Sequence, residues 1–360
     1  MTATTVGVEE EYLLLDPEDG RPLPLSRDVL AAAGRLATVG SREVEHELLQ
    51  AQVEVGTPVC RSLGEVDRHL RRLRAAVRAA AAGGGARLAA SGTAPAGGRA
   101  PVTDRRRYLA MLRDAPRLVD EQLICGMHVH VGVEDREAGV AVLDRIGPWL
   151  PVLVALGANS PYWEGADTGF ASWRTVVFGR WPVSGPPPAF ADAAEYGRRT
   201  RALLETGVIR DLGQVYWQAR LSERYPTVEV RAPDVQLEVA DAVALAGVAR
   251  GLVRTALREE AEGLPRPLAP PELLAAANWR ACRHGLTGSL VHPGTARCRP
   301  AAEVVEALLG HLTPALREAG DLSLVSRGLA RLLSRGTGAD RQRRTLREAD
   351  AGAYFRLIEG

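Results

Sequence analysis

The sequence predicts an α+β fold: an antiparallel β-sheet with helices packed on one side of it. Three observations lead there. Strand-like segments with period-two alternation are mixed with helical ones as far as about residue 238, and from about 239 the pattern is almost all helical. Several strand-like segments alternate a reactive polar side chain with an apolar one, so one face carries chemistry and the other joins the core. The 360 residues are 46% hydrophobic, enough for a large core. No internal repeat divides them, and the proline-rich stretches 186–188 and 264–271 read as loops rather than linkers, so residues 1–360 form one expected domain.

Residues 6–16 read as a strand, broken by Pro17-Glu18-Asp19-Gly20. Residues 43–55 form a second strand region. In 63–82 the spacing of Leu63, Val66, Leu70, Leu73 and Val77 predicts a helix with an arginine-rich outer face, ended by Gly83-Gly84-Gly85. A short strand at 87–90 precedes a helix at 103–118, with Thr103 as its expected cap. Residues 124–133 are a strand. Residues 135–156 are a long apolar helix, bent at Pro148 and Pro151. Residues 159–188, rich in Gly, Pro and Trp and without a clean period, read as a substrate loop. A helix at 193–205 and strands at 215–219 and 227–232 follow. The remainder reads as helices at 241–260, 271–283, 301–319, 323–335 and 341–358.

The chemistry concentrates in the strands. In Gly126-Met127-His128-Val129-His130 the two histidines share a face, and in Thr227-Val228-Glu229-Val230-Arg231 so do Glu229 and Arg231. In the first strand Glu9 and Glu11 fall on one face and Glu10 on the other. Glu47 and Glu54 are an odd number of positions apart, so a bulge or turn is needed if both serve one site. Each feature alone has a plain reading: a solvated acidic face, a structural histidine pair, a surface ion pair. Together they offer ligands of one class. Carboxylates with few imidazoles suit a hard cation such as Mg²⁺ with a nucleotide better than zinc.

Formal net charge is +1, which leaves no bulk electrostatic case for nucleic acid or an acidic membrane as partner. No lysine occurs, so arginine performs all cationic work. The four cysteines are scattered without a C-x-x-C pair and read as reduced thiols. No basic-then-apolar start suggests a leader, and no apolar stretch approaches the roughly 20 residues that span a membrane. A cytoplasmic protein is expected, with homo-oligomerisation left open.

Several motifs together resemble the glutamate–cysteine ligase type 2 family, carboxylate–amine ligases of the glutamine synthetase superfamily. They are Gly7-Val8-Glu9-Glu10-Glu11-Tyr12, the Glu47 to Glu54 segment with Val59-Cys60-Arg61, Gly126-Met127-His128-Val129-His130, Ala158-Asn159-Ser160-Pro161-Tyr162-Trp163, Arg180-Trp181-Pro182 and Pro226-Thr227-Val228-Glu229-Val230-Arg231. The stretches Asn278 to Arg280 and Gly338 to Arg343 are also similar. The resemblance implies a curved antiparallel sheet forming half a barrel, with ATP and Mg²⁺ (or Mn²⁺) in its funnel. It implies Glu9, Glu11, Glu47, Glu54, His128 and Glu229 as metal ligands. His130 and Arg231 would act as catalytic groups near the phosphates, with Arg280 also binding the nucleotide. Arg174, with Asn159 and Trp173, would bind the carboxylate substrate. An arginine among tryptophans on a Gly-rich loop makes a carboxylate fork; its plainer reading is stacking on tryptophan. Asp167 is a candidate general base.

Three positions depart from the family pattern: Ala94 where histidine is expected, Gln218 where aspartate is expected, and Leu221 where proline is expected. They imply a changed amine or acid substrate. The implied activity is ATP-dependent formation of an amide through an acyl phosphate, with glutamate as the acid and cysteine or another amine as the nucleophile. A metal-dependent hydrolase is the alternative on ligand chemistry alone, distinguished by acting without ATP. A catalytically silent binding protein should have lost ligand residues, and this chain has not.

Overall fold

Seven strands pair into one open sheet in the order β10 (Ala219–Leu221), β11 (Thr227–Val230), β5 (Met127–Gly132), β1 (Val6–Leu15), β3 (Gln52–Gly56), β2 (Val44–His46), with β4 (Arg87–Ala89) also alongside β1. The computed structural model describes residues 4–267 and 269–359. The central strand, β1 (Val6–Leu15), pairs antiparallel with β3 (Gln52–Gly56), β4 (Arg87–Ala89) and β5 (Met127–Gly132). The strand β2 (Val44–His46) flanks β3.

Alternation gives the sheet two unlike faces. Val6, Val8, Met127, Val129, Val131, Val228 and Val230 are all buried in one core cluster. Against that face lies α2 (Leu63–Gly83), which begins with a Ser62–Glu65 capping box and buries Leu63, Val66 and Leu70. Glu10 shares this face: it is fully buried and ion-paired to Arg74 of α2 at 2.5 Å. Arg74 also donates to the carbonyls of Gln236 and Leu237.

Elsewhere the expected boundaries shift for identifiable reasons. The region 43–55 is a hairpin, because the chain turns between β2 and β3. The expected helix at 103–118 is two, α3 (Arg106–Asp114) and α4 (Pro116–Asp120), since Pro116 cannot continue the first. Thr103 is not its cap; the Thr103 hydroxyl donates to the Glu47 carbonyl at 2.7 Å and pins the hairpin turn. The apolar run 136–156 breaks into α5 (Arg136–Ile146), a 3₁₀ turn and α6 (Leu150–Leu156) around the two prolines. By length and composition alone this run could cross a membrane, but 89% of its most apolar 18-residue window is buried inside the protein, as in a core helix.

The expected loop 159–188 carries a small hairpin, β6 (Tyr162–Trp163) with β7 (Ala166–Asp167), then α7 (Trp173–Phe178) capped by Ser172. Further on, β8 (Ser184–Gly185) pairs in parallel with β9 (Tyr216–Trp217). After α8 (Ala193–Glu205), β10 (Ala219–Leu221) and β11 (Thr227–Val230) complete the sheet.

The chain then enters α9 (Val239–Ala261), a mostly buried helix contacting α2 and α5. Past α10 (Pro271–His284), a hairpin of β12 (Ser289–His292) and β13 (Arg297–Pro300) interrupts the expected all-helical tail. Its signal was the Pro293-Gly294 turn between two short alternating segments. Two more helices, α11 (Ala301–Ala319) and α12 (Leu322–Arg335), pack on α9. The last expected helix is two, α13 (Gly338–Glu348) and α14 (Ala351–Glu359). Among the described residues all four cysteines are free.

Candidate active site

The face opposite the helices is the floor of a cavity of about 1950 Å³. Register places its side chains in rows. Glu229 of β11 stands between Arg220 of β10 and His130 of β5. Glu9 of β1 is directly beside His128. Glu11 is directly beside Glu54, which faces Glu45 on its other side. Glu47 joins from the hairpin turn, so the odd spacing to Glu54 is resolved by a turn. Its carboxylate accepts the Leu48 amide at 2.7 Å.

One side of the floor is acidic. Ligand atoms of Glu11, Glu47 and Glu54 lie within 4.8 Å of one another, and so do those of Glu9, Glu54 and His128. Burial, and then the neighbouring Glu9, Glu47 and Glu11, push the Glu54 carboxyl well up. Burial, and then Glu11, push Glu47 up to about 7. Glu11 is held in place by the Gly126 amide, which donates to it at 2.6 Å.

The other side is basic. Arg220 grips Glu229 through two nitrogens at 2.8 and 3.2 Å, and Arg231 pairs with the same carboxylate. Burial would raise the Glu229 carboxyl, but Arg231 and Arg220 outweigh it and hold it low. Glu9 links the two sides, 3.2 Å from His128 and 3.3 Å from His130. Burial again opposes ionisation there, and hydrogen bonds to both histidines win, holding Glu9 well below the usual range. Burial and then Arg231 lower His128, whereas Glu9 raises His130 against the effect of burial.

The donor set fits a hard divalent cation. Glu11, Glu47 and Glu54 converge with no arginine ion-paired to them among the described residues, and His128 shares Glu54 with Glu9, while His130 groups with Glu9 and Glu229.

All six expected metal ligands line the cavity, as do His130, Arg231 and Arg174. Arg174 is 3% exposed; its guanidinium lies over Phe178, not over a tryptophan, with Nη1 3.8 Å from Asp234. Gly126 makes room for it: a Cβ there would come 2.1 Å from Arg174 Nη2.

Four expectations are corrected. Asn159 does not reach the cavity: it is fully buried, donating to the carbonyls of Ala90 and Val235 and accepting from Gln342. Trp173 packs edge-on against Phe170 outside the cavity. Arg280 lies on α10 and donates to the Ser289 carbonyl at 2.7 Å, away from the floor. Asp167, the candidate base, is gripped by Arg343 at 2.8 and 2.6 Å, which holds it low, and it does not line the cavity. None of the three departing positions lines the cavity either. Ala94 is buried, Gln218 donates to Asn278, and Leu221 sits in the core.

Sequence reasoning missed several lining residues. Arg107 forms a bidentate pair with Asp211 at the rim. Tyr108 and Tyr216 line the acidic side. Gln52 also lines it, and had a readable signal: it is two residues from Glu54 on one strand and so shares its face.

The glutamate–cysteine ligase family 2 pattern matches residues 5–360. A relative in Paenarthrobacter aurescens (strain TC1), provisionally named glutamate–cysteine ligase 2-1, is 45% identical over 359 residues, covering 99% of this chain and 92% of the relative. One in Salinispora arenicola (strain CNS-205), provisionally named glutamate–cysteine ligase 2, is 44% identical, covering 96% and 91%. Among solved structures, a glutamate–cysteine ligase from Francisella tularensis in complex with AMP superposes with a TM-score of 0.71 at 11% identity, covering 99% of this chain and 87% of that one. A bifunctional glutathione synthetase from Pasteurella multocida gives 0.69 at 14% identity, and this chain, 99% covered, spans about half (52%) of it. These likenesses below 25% identity bear on the fold, while the family match and the relatives settle descent: the chain belongs to glutamate–cysteine ligase family 2, a family of ligases.

Proposed function

We propose that this protein is an ATP-dependent carboxylate–amine ligase that joins the γ-carboxyl of glutamate to an amine, cysteine or another, through an acyl phosphate. The observation that supports it most is the division of one cavity floor into a carboxylate side and an arginine side, bridged by Glu9 and the two histidines. The sheet is read as a half-barrel whose funnel is this cavity, and the whole chain as one catalytic unit.

Glu9, Glu11, Glu47, Glu54 and His128 are the residues that would hold Mg²⁺ or Mn²⁺, with Glu229 at the boundary. Such a cation offsets phosphate charge and aligns the phosphoryl group with its attacker. Arg231 and Arg220, both largely buried, carry fixed positive charge to the cavity floor, where it would stabilise charge on the transferring phosphoryl group. His130, its pKa raised by Glu9, can share that task as imidazolium. Arg174, with unused donor capacity at the cavity floor, would hold the acid. Phosphorylation replaces an oxide leaving group by phosphate, so an amine can then displace it.

The test is a phosphate-release assay with ATP, Mg²⁺, glutamate and a panel of amino acids and amines, with product masses recorded. ADP and phosphate appearing together with a γ-glutamyl amide support the reading. AMP as the nucleotide product, or amide or phosphate-ester hydrolysis without ATP, would overturn it.

A further inference from the structure

Away from the cavity, α10 buries one side and leaves the other bare. Ala277, Ala281 and Cys282 are buried. On the other side Leu273 and Trp279 are 43% and 55% exposed. At about 100° per residue, Glu272, Leu273, Ala276, Trp279 and Arg280 fall within roughly 120° of one outward face. Phe170 meets the Trp279 ring edge-on at 5.9 Å and carries the apolar surface beyond the helix. Exposed apolar residues scattered singly are ordinary, whereas two large ones on one helix face, joined to a third ring, make a patch.

The order of residues along this face is self-complementary. Leu273 and Trp279 lie three residues to either side of Ala276, and Glu272 and Arg280 lie four. A second copy of α10, antiparallel and related by a two-fold axis passing Ala276, therefore brings Leu273 level with Trp279 of that copy. It also brings Glu272 level with the Arg280 of that copy. Each pairing occurs twice, as a two-fold contact requires. The small side chain of Ala276 at the crossing lets the two backbones approach, so the larger side chains interleave around it. The two charges are opposite and uncommitted. Arg280 is held by the Ser289 carbonyl and hydroxyl, and among the described residues neither it nor Glu272 is in an ion pair.

We propose that this face is the contact between two copies of the chain, a two-fold dimer with α10 packed against α10. Leu273 and Trp279 supply its apolar centre, and Glu272 with Arg280 fix its register. A helix of 14 residues is about 21 Å long, and one such crossing with its flanking ring falls short of the roughly 800 Å² per partner of a standard interface. The dimer is accordingly a reversible one, of micromolar strength.

Sedimentation velocity on the full chain tests this. Between about 1 and 100 µM the wild type should pass from monomer to dimer, and Trp279→Ser should raise the dissociation constant at least tenfold. A wild type that stays monomeric over that range overturns the proposal. So does a Trp279→Ser dimer of wild-type strength, which would put the contact on another surface. The register has its own test. Glu272→Arg and Arg280→Glu should each weaken the dimer, because like charges then meet twice. Mixed together, the two variants should form a heterodimer within threefold of wild-type affinity, because both of its pairs are again opposite. A merely structural role for either residue gives no such rescue, and a mixture as weak as the separate variants overturns the two-fold register. If Arg280→Glu does not fold, Glu272→Arg decides instead: unchanged association overturns the register, and weakened association at an unchanged melting temperature supports it.

Discussion

At Glu54 the carboxylates of Glu9, Glu47, Glu11 and Glu45 all press on one buried group. Replacing it by glutamine removes a like charge without changing shape. Glu54→Gln is therefore expected to melt higher than wild type in EDTA while its ligation rate with Mg²⁺ falls at least 100-fold, a size typical of lost electrostatic stabilisation at a reacting group. Near-normal turnover would remove Glu54 from the proposed metal site. Glu10, one residue from both Glu9 and Glu11 in sequence, obeys the opposite logic. Its face was readable from alternation, and on that ground it is a natural control for Glu9 and Glu11. Its partner was not readable, because Arg74 lies more than sixty residues away on α2. Glu10→Gln leaves a buried guanidinium without its counter-charge, which should lower stability by about 3–5 kcal/mol. Denaturant unfolding checks this; an unchanged midpoint would show that the ion pair contributes nothing net.

Between elements, one close approach of two helices depends on glycine. A Cβ on Gly328 of α12 would come 2.3 Å from the Ala244 Cβ of α9. The two helices cannot both keep their places around a methyl group there. Gly328→Ala is expected to destabilise the fold by about 1–3 kcal/mol despite better intrinsic helix propensity, read as a lower melting temperature with the active site intact. A neutral or higher melting temperature would mean that α12 shifts freely. The strands and most helices were legible because period two and period 3.6 are properties of the local chain. What fixed α7, β6 and β7 was not local. Ser172 and Ser160 both donate to the buried Asp234, so that segment takes its form from a residue some sixty positions on. Asn159 and Trp173 were read as substrate contacts from the family resemblance; a cap and a tight turn send them elsewhere.

Across the whole molecule, the carboxylates set opposing demands on pH. Glu9 and Glu229 are held low by their partners, so they contribute stability that is lost as pH falls through their folded values. Glu47 and Glu54 are raised, so their contribution is present at low pH and is lost as pH rises, for Glu47 through about 7. In EDTA the melting temperature should therefore decline between roughly pH 5 and 8, and Mg²⁺ should flatten that decline by favouring the ionised carboxylates. A flat profile in EDTA would show that the cluster is better solvated than its burial suggests. That Glu9, Glu11, Glu47, Glu54, His128 and Glu229 line one cavity was legible from alternation and family pattern. The capacity of the cavity between them was not, since it depends on how far the opposite walls stand apart.

The final helix, α14, lies beside β4: the Ile358 carbonyl accepts the Ala90 amide, and Arg87 pairs with Glu359. Its own Tyr354 is buried and donates to Gln342. The helix thus acts as a lid on backbone that would otherwise template intermolecular pairing. Removing residues 351–360 should leave the distant catalytic floor assembled but turn a dispersed protein into one that self-associates on standing, visible as concentration-dependent light scattering. A truncated chain that stays monodisperse would mean that β4 needs no such guard.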